Sequence, residues 1–310
     1  MGMARSGLFP DVFRDTSGRS YHVKAKKGEL NGYILTAGSP ERIDAAKELI
    51  EEAKLVSSNR GLIVYNGVYK GTPVTLFCSG MGPSSAEISY TEVISNVDTA
   101  RFRRPTIIRA GTAASWSPKV SVNDIAVELG VVRSDGTSSK IAPLEWPAKT
   151  DLITTLMIAE TAHDLGLDER IWFGTGICKD TLYAEESPET RSSISADIKE
   201  RHRAYDRMGA ISASMESSPM ALLTDFYNRT IQGSGVRLSF ASTLLIVSPY
   251  YLETGDIQFK VDEESEMKLV TLALESLTKK MQLDALAIDG NSEIRFDLSG
   301  AIRVLYRRSL

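Results

Sequence analysis

The run Pro105-Thr106-Ile107-Ile108-Arg109-Ala110-Gly111-Thr112-Ala113-Ala114-Ser115 joins an apolar strand to an arginine, a glycine and a hydroxyl. Thr106–Arg109 reads as a buried strand, with Ala110-Gly111-Thr112 as the turn that follows it. A guanidinium and a hydroxyl at the carboxyl end of a buried strand stand where open α/β sheets bind ligands. Two more strand-to-glycine segments, ending at Gly38 and at Gly80 to Gly82, point to the same edge. Together they describe an anion pocket, most simply a phosphate site.

Outward from that edge, strands alternate with helices. Tyr33–Ala37 is a strand, and Ser39-Pro40-Glu41 supplies an N-cap, a first-turn proline and a first-turn acid for a helix through about Lys54. Leu62–Val68 and Thr72–Cys78 flank Tyr69-Lys70-Gly71 as a hairpin. A helix follows Gly82 to about Val97, then come strands Thr106–Arg109 and Asp124–Leu129. Further on are helix Ile153–Leu165, strand Trp172–Cys178, an acidic loop Tyr183–Thr190 and a polar helical stretch to about Tyr205. Strand Ala210–Met215, helix Glu216–Asn228, strand Leu238–Val247 and helix Glu263–Met281 complete the pattern. This alternation predicts one α/β domain, three-layer α/β/α around a central mixed, twisted sheet. Residues 1–20 read as a flexible arm, 21–281 as the domain and 282–310 as a C-terminal extension.

Composition narrows the function classes. The 310 residues carry a net charge of −4, with 42% hydrophobic and 25% charged residues, as in an ordinary globular protein. Nothing here builds a field for nucleic acid. No window is long and apolar enough to span a membrane. Cys78 and Cys178 sit in apolar, strand-like surroundings without metal-ligand spacing, which suits a reduced, cytoplasmic protein.

Three groups of residues carry chemistry. Gly38 precedes a helix N-terminus, whose free N–H groups favour negative charge, and Arg42 lies one turn in. Arg109 and Thr112 reach the same edge, and a guanidinium matches the oxygens of phosphate. Taken singly, Arg42 reads as a solvated helix residue and Arg109 as an ion-pair partner; taken together they read as a site. In Ser214-Met215-Glu216-Ser217, the carboxylate is either a partner for a sugar diol or a helix N-terminal acid held by the dipole. The Ile141–Pro147 excursion, with two prolines, covers a site, makes a subunit contact or is ordinary surface.

The chain resembles the uridine phosphorylases of the nucleoside phosphorylase-I family. The resemblance rests on Ala37-Gly38-Ser39-Pro40-Glu41-Arg42, Cys78 to Ser84, Ile108-Arg109-Ala110-Gly111-Thr112, and Val122-Asn123-Asp124-Ile125. It continues through Arg133–Gly136, Ala142-Pro143-Leu144-Glu145-Trp146-Pro147, Lys179-Asp180-Thr181-Leu182-Tyr183 and Met215-Glu216-Ser217. It covers roughly residues 20–281 and implies phosphorolysis of a pyrimidine nucleoside, uridine above all, to free base and ribose 1-phosphate. Phosphate would be the co-substrate and no organic cofactor is implied. By the same resemblance Gly38, Arg42, Arg109 and Thr112 hold phosphate, with Arg60 donated by a neighbouring subunit. Arg109, Glu216 and Thr112 would be the catalytic set. Glu216 would take the ribose hydroxyls, Met215 would pack on the sugar, and the neighbour's His22 would reach the 5′-hydroxyl. A homodimer is therefore the implied minimal unit.

The base pocket departs from the family pattern. Leu182 stands where an aromatic would stack, and Ala113 and Ala114 stand for Thr-Gly. Glu189-Thr190-Arg191 fills the Gln-x-Arg motif only after a three-residue insertion. Gly61 replaces the Glu of the bacterial monovalent-cation site, so no metal is carried over. Val247-Ser248-Pro249-Tyr250 lacks the Asp of purine enzymes. The rival readings are a purine nucleoside phosphorylase or nucleosidase on the same fold, and a nucleoside-binding protein without catalysis.

Overall fold

The computed structural model describes residues 8–9, 11–115, 117–186, 193–248, 259, 262–288 and 297–308. Strands β1 (Tyr33–Ala37), β4 (Thr72–Cys78) and β5 (Thr106–Ala114) form its parallel centre, with β1 between the other two. Beyond β4, the antiparallel strands β3 (Leu62–Tyr69) and β2 (Glu51–Asn59) make one edge. On the other side the order runs from β5 through β9 (Ser212–Ser214), β8 (Ile171–Lys179) and β6 (Ile125–Ser134) to β10 (Ser239–Ser248). Strand β10 also pairs with β5, so this half of the mixed sheet curls into a closed ring. The short β7 (Ala148–Lys149) adds to β6.

Adjacent residues on the central strands feed opposite cores, as expected for a sheet covered on both faces. Leu35 and Ile108 pack in one cluster with Ile43 of helix α1 (Pro40–Lys47), Ile158 of α4 (Leu152–Asp164) and Leu269 of α8 (Glu263–Ile288). Ile34 and Ile107 pack in the other with Tyr90 and Val93 of α2 (Pro83–Asn96) and Leu222 of α7 (Ser217–Thr230). The three-layer α/β/α architecture is therefore present. Three shorter or more polar helices, α3 (Ser138–Ile141), α5 (Tyr183–Glu186) and α6 (Ser195–Arg207), flank it. No helix among the described residues is long and apolar enough to cross a membrane.

Three expectations change. The helix expected to reach Lys54 stops at Lys47, and residues from Glu51 pair with β3 as an edge strand. Their side chains are exposed, so backbone ladder bonds rather than burial hold them there. The strand expected to end at Arg109 runs on to Ala114, because β10 and β9 offer it ladder partners. Gly111 is thus not a turn: a β-carbon there would collide with the Arg109 guanidinium, which folds back over it.

Described parts of the arm and of the extension are tied to the rest of the chain. Arg14 bridges to Ser20, and its Nη1 donates to Asn96 Oδ1 at 3.0 Å. Helix α8 passes through the expected boundary at 281 without a break. Helix α9 (Ser299–Arg308) then packs on α4 and buries Ala301 and Val304 completely. Ala301 and Val304 of the expected extension therefore pack in the same core as the domain, which periodicity alone does not reveal.

Candidate functional site

The carboxyl ends of β1, β5, β9 and β8 surround a cavity of about 200 Å³. Four expected anion ligands, Gly38, Arg42, Arg109 and Thr112, line it. So do Met215 and Glu216, and so do Ala113, Ala114 and Leu182. Glu189 and Arg191, together with Pro249 and Tyr250, lie outside the described residues.

Arg109 is 3% exposed, and its Nη2 is ion-paired and hydrogen-bonded with Glu216 Oε2. Among the described residues its Nε and Nη1 have no hydrogen-bond partner. Orphaned, buried cationic donors are costly and suited to an incoming anion. Glu216 stands at the start of α7 without capping it. Its Oε1 instead accepts from the Gly82 N–H at 2.8 Å, at the start of α2. Gly82 has φ +90, a conformation that favours glycine. Glu216 makes no capping hydrogen bond to α7 and lines the cavity.

Arg42 is neither solvated nor free. It is 7% exposed, its Nε donates to Glu266 Oε1 at 2.5 Å, and its Nη1 donates to the Ala110 carbonyl at 3.3 Å. Helix α8 thus holds Arg42 at the cavity, a role for its first turn that no sequence signal disclosed.

His22 and Arg60 sit elsewhere, close to each other. The Arg60 guanidinium lies 5.8 Å from the Tyr21 ring centre, and Tyr21 meets His22 edge-on at 4.9 Å. Asn59 Nδ2 donates to the His22 carbonyl at 2.7 Å. Neither residue lines its own chain's cavity. The Ile141–Pro147 excursion does not cover the cavity either. Arg133 staples it down by donating from Nη2 to the Ala142 carbonyl and from Nη1 to the Trp146 carbonyl, each at 2.7 Å.

Several groups at the site escaped the sequence reading. Lys179 and Glu186 line the cavity as a buried ion pair. The signal for Lys179 was available: it follows an apolar strand, as Arg109 does. Glu128 lies fully buried on β6, where Ser212 Oγ donates to its Oε1 at 3.0 Å. A β-carbon at Gly176 would collide with that carboxyl group.

Burial pushes the Glu128 carboxyl up, opposed by the hydroxyls of Ser217 and Ser242, the Arg109 charge and Ser212. A carboxyl raised in the folded state stabilises the fold fully below its unfolded value, and that contribution is lost as pH rises through the folded one. Glu128→Gln stays neutral throughout. It is therefore expected to gain stability relative to the parent between about pH 4 and about pH 8. Thermal unfolding at both pH values checks this; an unchanged difference counts against it.

A model of the Phosphorylase superfamily matches residues 33–239. The chain is 26% identical over 227 residues to the uridine phosphorylase of Treponema pallidum, covering 73% of this chain and 81% of that protein. Among solved structures it is similar to the uridine phosphorylase of Vibrio fischeri, with TM-score 0.67 and 22% identity, covering 86% of this chain and 100% of that one. It is also similar to the purine nucleoside phosphorylase of Toxoplasma gondii in complex with immucillin-H, with TM-score 0.72 and 18% identity over 87% of this chain and 99% of that one. At these identities the two structural likenesses speak for the fold.

Proposed function

The chain belongs to the phosphorylase superfamily, and on that premise we propose that it catalyses phosphorolysis of a pyrimidine nucleoside, uridine, to uracil and ribose 1-phosphate. One observation carries this reading: the buried Arg109 pairs with Glu216 through one nitrogen and holds two donors unpartnered at a cavity edge. A nucleoside and a phosphate ion together satisfy both sides of that pair. Glu216 accepts from the adjacent ribose hydroxyls, while Arg109 turns its donors to phosphate beside Gly38, Arg42 and Thr112.

The chemistry follows from charge. A phosphate oxygen forms a bond to C1′ as the bond from C1′ to the base nitrogen breaks and its electron pair leaves with the base. The sugar carbon becomes cationic between two anions, so fixed donors on phosphate and a carboxylate on the sugar stabilise that arrangement. Each such preorganised group contributes about 3 kcal/mol in the transition state. Inorganic phosphate is the co-substrate, and the reaction as written uses no organic cofactor. Met215 packs on the sugar, while Leu182, Ala113 and Ala114 bound the base.

The functional unit in this account is a homodimer. His22 and Arg60 form one surface cluster, so a neighbouring copy can present both together, Arg60 to phosphate and His22 to the 5′-hydroxyl. A panel of uridine, thymidine, cytidine and inosine, each with and without phosphate, tests the reading by following free base. The expected result is phosphate-dependent release that is fastest with uridine. Release independent of phosphate, or confined to inosine, overturns it.

A further inference from the structure

Strand order arranges the cavity from end to end. The sequence of neighbours is β1, β5, β9, β8, which carry Gly38, then Arg109 and Thr112, then Ser214 leading to Glu216, then Lys179. If phosphate lies at β1 and β5 and ribose at Glu216, the base falls against the end of β8. That place is occupied by a charged pair that the sequence reading did not assign.

Lys179 is 2% exposed and Glu186 is 3% exposed. Lys179 Nζ donates to the Thr181 carbonyl at 2.9 Å and stands 3.3 Å from Glu186 Oε1. Glu186 Oε1 accepts no hydrogen bond from that contact. An ammonium carries three donors, and among the described residues the Thr181 carbonyl takes one, leaving two toward Glu186 and the cavity. Burial, with the nearby Lys179 and Arg201 charges, pushes the His202 imidazole down to about 3. Burial pushes the Glu186 carboxyl up, and Lys179 opposes that rise.

A buried ion pair is a poor device for stability, since desolvation offsets much of its attraction. A simple latch between β8 and α5 could be made with apolar residues. A cation at the base end has a chemical use instead: the departing base leaves with the electron pair of the broken C1′–N bond, and its negative charge spreads onto the ring carbonyls.

Resting on the pyrimidine-nucleoside reading above, we infer that Lys179 donates to a carbonyl of the departing base and stabilises its anion, with Glu186 positioning Lys179 and accepting from the ring N–H. No proton transfer from Lys179 is required. The phosphate oxygen bonds to C1′, the base leaves as an anion, and water supplies its proton after release.

The test compares uridine with 5-fluorouridine, whose base is a more stable anion and needs less help. Lys179→Met is expected to lower kcat about 100-fold for uridine and about tenfold or less for 5-fluorouridine. Lys179→Arg, which keeps the charge, is expected to recover part of the loss and the same leaving-group trend. Because Lys179→Met strands Glu186, the double variant Lys179→Met/Glu186→Gln is measured alongside it, with unfolding curves for each. The double variant is expected to fold as the parent does and to keep the larger loss on uridine.

Equal losses on the two substrates, or a change in KM with kcat intact, overturn the inference and return the pair to a structural latch. If the parent cleaves a different nucleoside, the comparison is made with that base and a more acidic analogue. The functional reading then fails while Lys179 is still judged by the leaving-group ratio. If the parent cleaves no nucleoside, both fall.

Discussion

Replacing Arg109 with alanine is expected to lower kcat/KM for phosphorolysis by about 1000-fold, a loss of about 4 kcal/mol in transition-state stabilisation. The side chain folds over Gly111 with two donors unpartnered among the described residues. The substitution also leaves Glu216 buried without its counter-charge. That cost is about 3–5 kcal/mol when one member of a buried pair is removed. Activity and folding must therefore be separated. Arg109→Ala/Glu216→Gln removes both charges and is expected to recover most of the lost thermal stability while remaining inactive. Recovery of phosphorolysis in the double variant counts against a direct role for Arg109.

Arg60→Ala is expected to be nearly as damaging, through a different chain. In a dimer whose sites each borrow Arg60, mixing Arg60→Ala with Arg109→Ala subunits creates heterodimers with one intact site and one doubly altered site. Random reassortment restores about a quarter of parental sites from two inactive preparations. The measurement is uracil release after the two variants are unfolded together, refolded and compared with each refolded alone. Activity no greater than the sum of the separate samples denies that Arg60 is shared.

Much of the architecture was legible because the central strands are buried on both faces. Ile34-Leu35 and Ile107-Ile108 send neighbouring side chains into opposite cores, and a continuous apolar run records that directly. Strand β2 left no such record. Its charged residues face solvent, and the ladder to β3 that holds it depends on a partner remote from helix periodicity. Gly111 misled for a related reason: glycine marks turns, yet here it clears space for a side chain two residues earlier.

The site divides in the same way. Gly38, Arg109, Thr112 and Glu216 were readable because each follows a recognisable strand toward one edge. Lys179 also ends an apolar strand, but its burial against Glu186 was not readable, since an acid beside a polar loop defaults to solvent until α5 folds over the end of β8. Glu128 was hidden by ring closure, in which β10 pairs with both β5 and β6.

The central claim is that one phosphate ion sits between Arg42 and Arg109 beside Gly38 and Thr112. A crystal structure with phosphate and uridine tests it most directly. The expected result is Arg109 Nε and Nη1 on phosphate oxygens, Glu216 on the ribose hydroxyls and Arg60 of a second copy within hydrogen-bond reach of the ion. Phosphate bound away from β1 and β5, with Arg109 still paired to Glu216 alone, contradicts it.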